Sequence, residues 1–351
     1  MYSLIIAATC SACLIFAFLL YAPRFGWLDR PDERKAHQVA VPALGGIAWF
    51  FGFAIAVLLS QPTASHGYLL SAMALMVLVG AVDDRKPLPT WLRLLVQSIA
   101  VVIAFQVSGP IQNLGATFGF ELFLGGFAWP FTVFAVIGVI NAINMIDGMD
   151  GLLGSLVSLA FFALIFVLYR AGAGDLAFIP AVAICALIPF LLVNVRTPWQ
   201  KQARMFFGDA GSMPIGLLLA WCVINNTQGE RALLQPVSAL YLLALPLIDT
   251  VSLMLRRGLR GQSPFNADQD HVHHLLQRAG IGVGASLALL VSAAAVLLLL
   301  EYVMIALALP ELLRFAVFMA IALGYHFRIG FALRHKRWLG RDLQDALVRS
   351  S

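Results

Sequence analysis

Residues 129–170 read WPFTVFAVIGVINAINMIDGMDGLLGSLVSLAFFALIFVLYR. Two apolar runs, 129–146 and 152–170, flank the turn Asp147-Gly148-Met149-Asp150-Gly151. Each run is long enough to cross a bilayer as a helix, which takes about 17–25 mostly apolar residues. The polar groups collect where the runs meet, so the stretch reads as two spans with their chemistry at one membrane face.

The rest of the chain has the same character. Of 351 residues, 61% are hydrophobic and 12% charged, whereas soluble domains carry about 25% charged residues. Eleven apolar segments are expected, at 3–21, 44–60, 67–82, 91–107, 129–146, 152–170, 176–194, 212–224, 236–255, 284–306 and 309–327. The eighth is short. The run from Ser3 to about Tyr21 has neither a basic leader nor an A-x-A site, and reads as a first span. Cys10, Cys13, Cys185 and Cys222 lie within apolar runs, so the C-x-x-C spacing of Cys10 and Cys13 reads as helix packing rather than a redox or zinc site. The expected fold is an all-α polytopic membrane protein, 1–351 forming a single transmembrane catalytic domain.

Basic residues orient the spans. The segments 22–43, 83–93, 195–211, 256–283 and the tail after 327 hold 20 of the 23 Lys and Arg residues; only Arg170, Arg231 and Arg314 lie on the other side. The positive-inside rule makes the first set cytoplasmic, the N-terminus external and the C-terminus internal. The net charge of +5 then flanks membrane helices, which suits anionic membrane lipid and an anionic substrate and argues against nucleic acid.

Acidic residues follow the basic ones, and ionisable groups at membrane depth are functional candidates. Asp83-Asp84 is an adjacent carboxylate pair that needs a cation, a shared proton or nearby bases. Asn141, Asn144, Asp147 and Asp150 recur every third residue; on a helix the first three share a broad face, and their oxygens suit a hard ion. Phe206-Phe207-Gly208-Asp209-Ala210-Gly211 opens a helix with an aspartate that is either a metal ligand or an N-cap. His271-Val272-His273-His274, flanked by Asp268, Asp270 and several arginines, is either a zinc site or a set of donors to phosphate; the nearby arginines favour phosphate. Lys35 and His37 add basic groups on the same side. The active site is expected on loops 22–43, 83–93, 147–154, 195–212 and 256–283.

These motifs, with Asp32 to His37, Pro42 to Gly46 and Ser263-Pro264-Phe265 to Gly280, resemble the polyprenyl-phosphate N-acetylhexosamine-1-phosphate transferases, and within them the undecaprenyl-phosphate GlcNAc branch that starts O-antigen and related glycans. They run from about residue 29 to 280 in the family's order. The resemblance implies a Mg²⁺-dependent enzyme, with Mn²⁺ as a substitute, in the bacterial inner membrane. Its substrates would be a UDP-N-acetylhexosamine and undecaprenyl phosphate, and it allows a homodimer. Asp209 would be the principal metal ligand and Asn144 a second. Asp83, Asp84, Asp147, His273 and His274 would form the catalytic set. Asp150 and Phe206 would hold uracil, with Lys35, His37, Arg93, Asn194 and His271 also on the substrates. His271-Val-His273-His274 departs from the three consecutive histidines of the muramoyl-pentapeptide branch, which favours a simple N-acetyl sugar. A transporter is the rival reading; the lack of internal repeats and the gathering of charge at helix ends argue against it.

Overall fold

The computed structural model describes residues 2–24, 26–28, 40–60, 62–229, 232–262 and 270–334. Among them are thirteen α-helices: α1 Tyr2–Tyr21, α2 Gly45–Leu58, α3 Ala64–Asp83, α4 Thr90–Ala104, α5 Ala128–Ile146, α6 Leu152–Arg170, α7 Phe178–Asn194, α8 Asp209–Thr227, α9 Pro236–Leu242, α10 Ala244–Gly258, α11 Val272–Arg278, α12 Val283–Ala306 and α13 Glu311–Arg334. Extended pairing among the described residues is limited to two isolated bridges. The chain is all-α, as expected.

Every one of the eleven expected segments contains a helix, but fewer meet the length and apolarity of a bilayer span. Six do so: α1, α3, α5 with its 3-10 lead, α6, α12 and α13. Three apolar helices, α2, α4 and α7, are 14, 15 and 17 residues long, short of the roughly 20 that a membrane asks for. The helix α8 is 19 residues long and carries Asp209, Asn225 and Asn226. It tolerates them because it lies at the centre of the bundle, buried along nearly its whole length against α3, α5 and α2.

The expected ninth span is broken. α9 and α10 meet at an 83° bend, and the pair counts as a seventh span only if taken together. Pro246 accounts for the break: it has no N–H for the carbonyl of Leu242, and its ring collides with that carbonyl in a continuous helix.

Glycines permit the tight contacts around the start of α8. A Cβ on Gly46 of α2 would lie 2.1 Å from Gly211 Cα, and one on Gly80 of α3 would lie 2.4 Å from Ala210 N. A smaller apolar cluster, including Ile146, Met149, Leu152, Leu245, Val272 and Leu276, packs α11 beneath the 147–151 turn. At the other end of the bundle Arg314, 1% exposed, pairs with Glu301 and donates to Ser238 Oγ at 2.6 Å, joining α13, α12 and α9.

Candidate active site

The site is built around the first residues of α8. The leading amides of a helix have no partner within it. Here a carboxylate from another helix supplies one: Asp84 accepts Asp209 N–H on Oδ1 at 2.8 Å and Ala210 N–H on Oδ2 at 3.2 Å. Gly208 leads into the helix at φ +75, and a Cβ there would stand 2.6 Å from Asp84 Oδ2. Asp83 turns elsewhere. It is buried, accepts Leu88 N–H at 2.5 Å, and pairs with Arg93 Nη1 at 3.0 Å. The same Arg93 nitrogen stands 4.0 Å from Asp209 Oδ2, so one guanidinium serves two aspartates.

Asn144 completes this part of the site, donating from its amide to Asp209 Oδ1 at 2.7 Å and to Ser212 Oγ at 2.8 Å. Its neighbours on the every-third-residue pattern part company with it. Asn141 donates to Gln97 Oε1 of α4 at 3.0 Å, while Asp147 sits just past the end of α5. Burial, reinforced by the charge of Asp84 and a hydrogen bond with Asp83, pushes the Asp209 carboxyl up to about 7. Burial also raises Asp147 well above the ordinary carboxylate range, with the charges of Asp209, Asp84 and Asp150 adding to it.

A crowd of carboxylates that raise one another in this way fits a hard divalent cation, which removes the repulsion. Among the described residues no three Asp, Glu, His or Cys side chains close around one point. The fit is therefore to an ion such as Mg²⁺, which takes one or two carboxylates and completes its shell with water and substrate phosphate. Asp209 would be the residue to hold it. Asn144 would add an oxygen by turning its amide.

Asp147 leads to a second polar group. Asp150 Oδ2 accepts from Arg196 Nε at 2.6 Å and Ala203 N–H at 3.1 Å. The buried Asn194 accepts Gly151 N–H at 2.7 Å and donates to Met205 O at 2.8 Å. It thus ties the Asp150 turn to the strand-like segment carrying Phe206, whose N–H donates to Pro42 O at 2.8 Å. Asn194 joins the two expected uracil contacts through backbone.

The histidines occupy three settings. His271 is buried with Nδ1 2.7 Å from Asp249 Oδ2. His273 is wholly enclosed, Nε2 facing Gly148, where a Cβ would approach to 2.3 Å. Burial first, then the charges of His274 and His271, lowers His273 to about 3, so it is neutral. His274 packs on His273 at 4.2 Å between ring centroids and lines a cavity, as does His271.

That cavity, of about 850 Å³, runs along α5 between α4, α8 and the bent pair α9–α10. Its walls are mostly apolar, from Phe131 and Phe134 to Val251 and Met254. Arg93, Asn144, His271 and His274 form its polar end. The apolar space thus opens beside Asp209.

Most expected site residues come together: Asp83, Asp84, Arg93, Asn144, Asp147 and Asp209 in one cluster, Asp150, Asn194 and Phe206 beside it, and His271 and His274 on the cavity. Lys35, His37 and the Ser263–Phe265 motif lie outside the described residues. Two groups had not been assigned to the site from sequence: Asp249, whose signal is a carboxylate within an apolar run, and Tyr325, which gives none.

Comparisons with known proteins show the family. Residues 66–227 match the family model described as glycosyl transferase family 4. An undecaprenyl-phosphate α-N-acetylglucosaminyl 1-phosphate transferase of Yersinia pestis is 37% identical over 335 residues, 94% of this chain and 92% of its own length. Proteins of the same name from Pasteurella multocida and Escherichia coli K12 are 37% and 36% identical, over 91% and 79% of this chain and 90% and 76% of their own lengths.

Proposed function

The chain belongs to glycosyl transferase family 4, and from that premise we propose that it moves GlcNAc 1-phosphate from UDP-GlcNAc to undecaprenyl phosphate, giving a lipid-linked diphosphate sugar and UMP. The observation that carries the reading is the apolar cavity that opens beside Asp209 with Arg93, His271 and His274 at its polar end. A long isoprenoid needs an apolar channel, and its phosphate needs donors where that channel meets the reacting group.

In this reading the lipid phosphate attacks the β-phosphorus of the UDP-sugar and UMP departs, in a single in-line displacement. Arg93 offsets the repulsion between the two anions, and His271 and His274 donate to phosphate oxygens. Asp83 and Asp84 each hold two donors on their two oxygens, and one of the pair takes any proton on the lipid phosphate. Asp150 accepts the imide N–H of uracil and Phe206 stacks on the ring. Asp209, with Asn144, would hold Mg²⁺, or Mn²⁺ in its place. The ion would neutralise diphosphate charge.

The protein is proposed to lie in the bacterial inner membrane with eleven segments crossing or entering the bilayer, the N-terminus outside and the site facing the cytoplasm. The distribution of Lys and Arg supports this orientation. Of the short helices, α2 and α7 would be partly enclosed by their neighbours, while α4 would turn Trp91, Leu95 and Ile99 toward lipid.

The test uses UDP-GlcNAc labelled with ³²P in the β-phosphate, undecaprenyl phosphate and the purified full-length chain. Label extracted with the lipid means phosphosugar transfer. Label that stays in UDP means a simple sugar transfer and overturns the reading. Competition with UDP-GalNAc then ranks the donors.

A further inference from the structure

Asp249 belongs to none of the motifs used above, yet it is among the most enclosed carboxylates of the described residues, 1% exposed on α10. A carboxylate in an apolar run is costly unless partnered. This one has three partners, brought from two other elements. His271 Nδ1 lies 2.7 Å from Oδ2. Val272 N–H donates to Oδ1 at 3.2 Å, and the Tyr325 hydroxyl of α13 donates to Oδ1 at 2.5 Å. His271 is itself 4% exposed and lines the large cavity. With Nδ1 committed to Asp249, Nε2 is the ring atom left for a ligand there. The adjacent His326 of α13 supports the same region by another route. Its Nδ1 is 3.1 Å from Ser252 Oγ, which accepts from Arg256, and Arg256 donates to the Asp270 carbonyl just before His271.

We infer that Asp249 is a positioning residue for the transfer reaction: it holds His271 through Nδ1–H so that Nε2–H is presented to a phosphate in the cavity, with Tyr325 fixing the carboxylate. A carboxylate on one ring nitrogen fixes the orientation of the imidazole, as in other Asp–His pairs. α13 thereby acts on the site without touching substrate. The inference rests on the reading of His271 as a phosphate donor.

The test is made on the purified full-length protein. Asp249→Asn keeps a side chain of the same shape, and its melting temperature serves as the control for folding. It is expected to lower kcat about 10- to 100-fold, as loss of the partner that orients a functional histidine does, with the KM for UDP-GlcNAc changed less than about threefold. In a His271→Gln background the same substitution is expected to change kcat less than about twofold, since Asp249 would act only through His271. Tyr325→Phe is expected to give a smaller loss in the same direction. Multiplicative losses in the double variant would overturn the inference, because a residue with a merely structural role would act independently of His271. A second readout needs no turnover: ¹⁵N resonances of labelled histidine, with His271 assigned by its absence in His271→Gln. Protonated Nδ1 is expected in the wild type, and an unprotonated Nδ1 would overturn the inference. An absence of transferase activity in the wild type would instead sink the proposed function, and the resonance of Nδ1 would still decide whether Asp249 orients His271.

Discussion

Asp84, at the end of α3, caps the start of α8: its two carboxylate oxygens accept the N–H groups of Asp209 and Ala210 at 2.8 and 3.2 Å. One residue of the Asp83-Asp84 pair thus fixes where Asp209 stands, while the other shares Arg93 with it. The adjacent acids have divided the work of positioning one site.

This relationship predicts that Asp84→Ala loses both stability and turnover. The loss of a helix cap costs about 1 kcal/mol, read as a lower melting temperature in detergent. Asp84→Asn, which keeps one acceptor oxygen, is expected to melt between the two. Equal melting of all three proteins would mean that the cap contributes nothing.

The close approach of α2 and α3 to α8 gives a second expectation. Gly46→Ala and Gly80→Ala each place a methyl group within 2.4 Å of backbone atoms of α8. Backbone cannot swing aside as a flexible side chain can, so each is expected to cost about 1–3 kcal/mol. Gly138→Ala, inside α5 where a Cβ meets nothing within 4 Å, is the control and should melt at or above the wild type, since alanine favours a helix interior.

The carboxylate crowd makes stability depend on pH and on divalent cation. Asp209 is raised to about 7, so between its ordinary value near 3.8 and about 7 the folded state binds the proton more tightly than the unfolded state. Its contribution to stability is greatest at low pH and declines as pH rises through that window. In the presence of a chelator, Asp209→Asn is therefore expected to melt above the wild type at pH 7.5 and to converge with it toward pH 4. Added Mg²⁺ should raise the wild type and not the variant. A wild type indifferent to Mg²⁺ would contradict the assignment of Asp209.

His273 has the opposite sign. Lowered to about 3, it resists a proton that the unfolded chain accepts below about 6.5, so stability is lost as pH falls from 6.5 toward 3. His273→Phe is expected to flatten the acid side of a plot of melting temperature against pH, compared with the wild type. An unchanged acid side would place His273 in a more polar setting than the one described.

At the far end of the bundle, Glu301→Gln should leave the Arg314 guanidinium buried with its charge unmatched. Removing one member of a buried pair costs about 3–5 kcal/mol, whereas replacing Glu301 and Arg314 together by Leu and Met should cost much less. Denaturation of the three variants separates these outcomes.

The apolar runs made the helices legible, because a bilayer demands length and apolarity that few other settings do. The fate of the short runs was not legible, since α2 and α7 gain from neighbouring helices part of what a lone span takes from lipid. The break at Leu243 had its cause in view in Pro246, but a proline in a span is as easily tolerated as obeyed. The residues of the site were largely readable as motifs, although their partners were not. Nothing in the regular spacing of Asn141, Asn144 and Asp147 told that the first would turn to Gln97, the second to Asp209, and the third past the helix end. Asp249 and Tyr325 are 76 residues apart, and only the packing of α13 on α10 brings them together.

The most direct test of the account is UMP release by the purified chain with undecaprenyl phosphate, UDP-GlcNAc and Mg²⁺, beside Asp209→Ala. The account predicts release that requires both lipid and divalent cation, and a loss of at least about 100-fold in the variant. Release that proceeds without the lipid, or that survives in a folded Asp209→Ala, would contradict it.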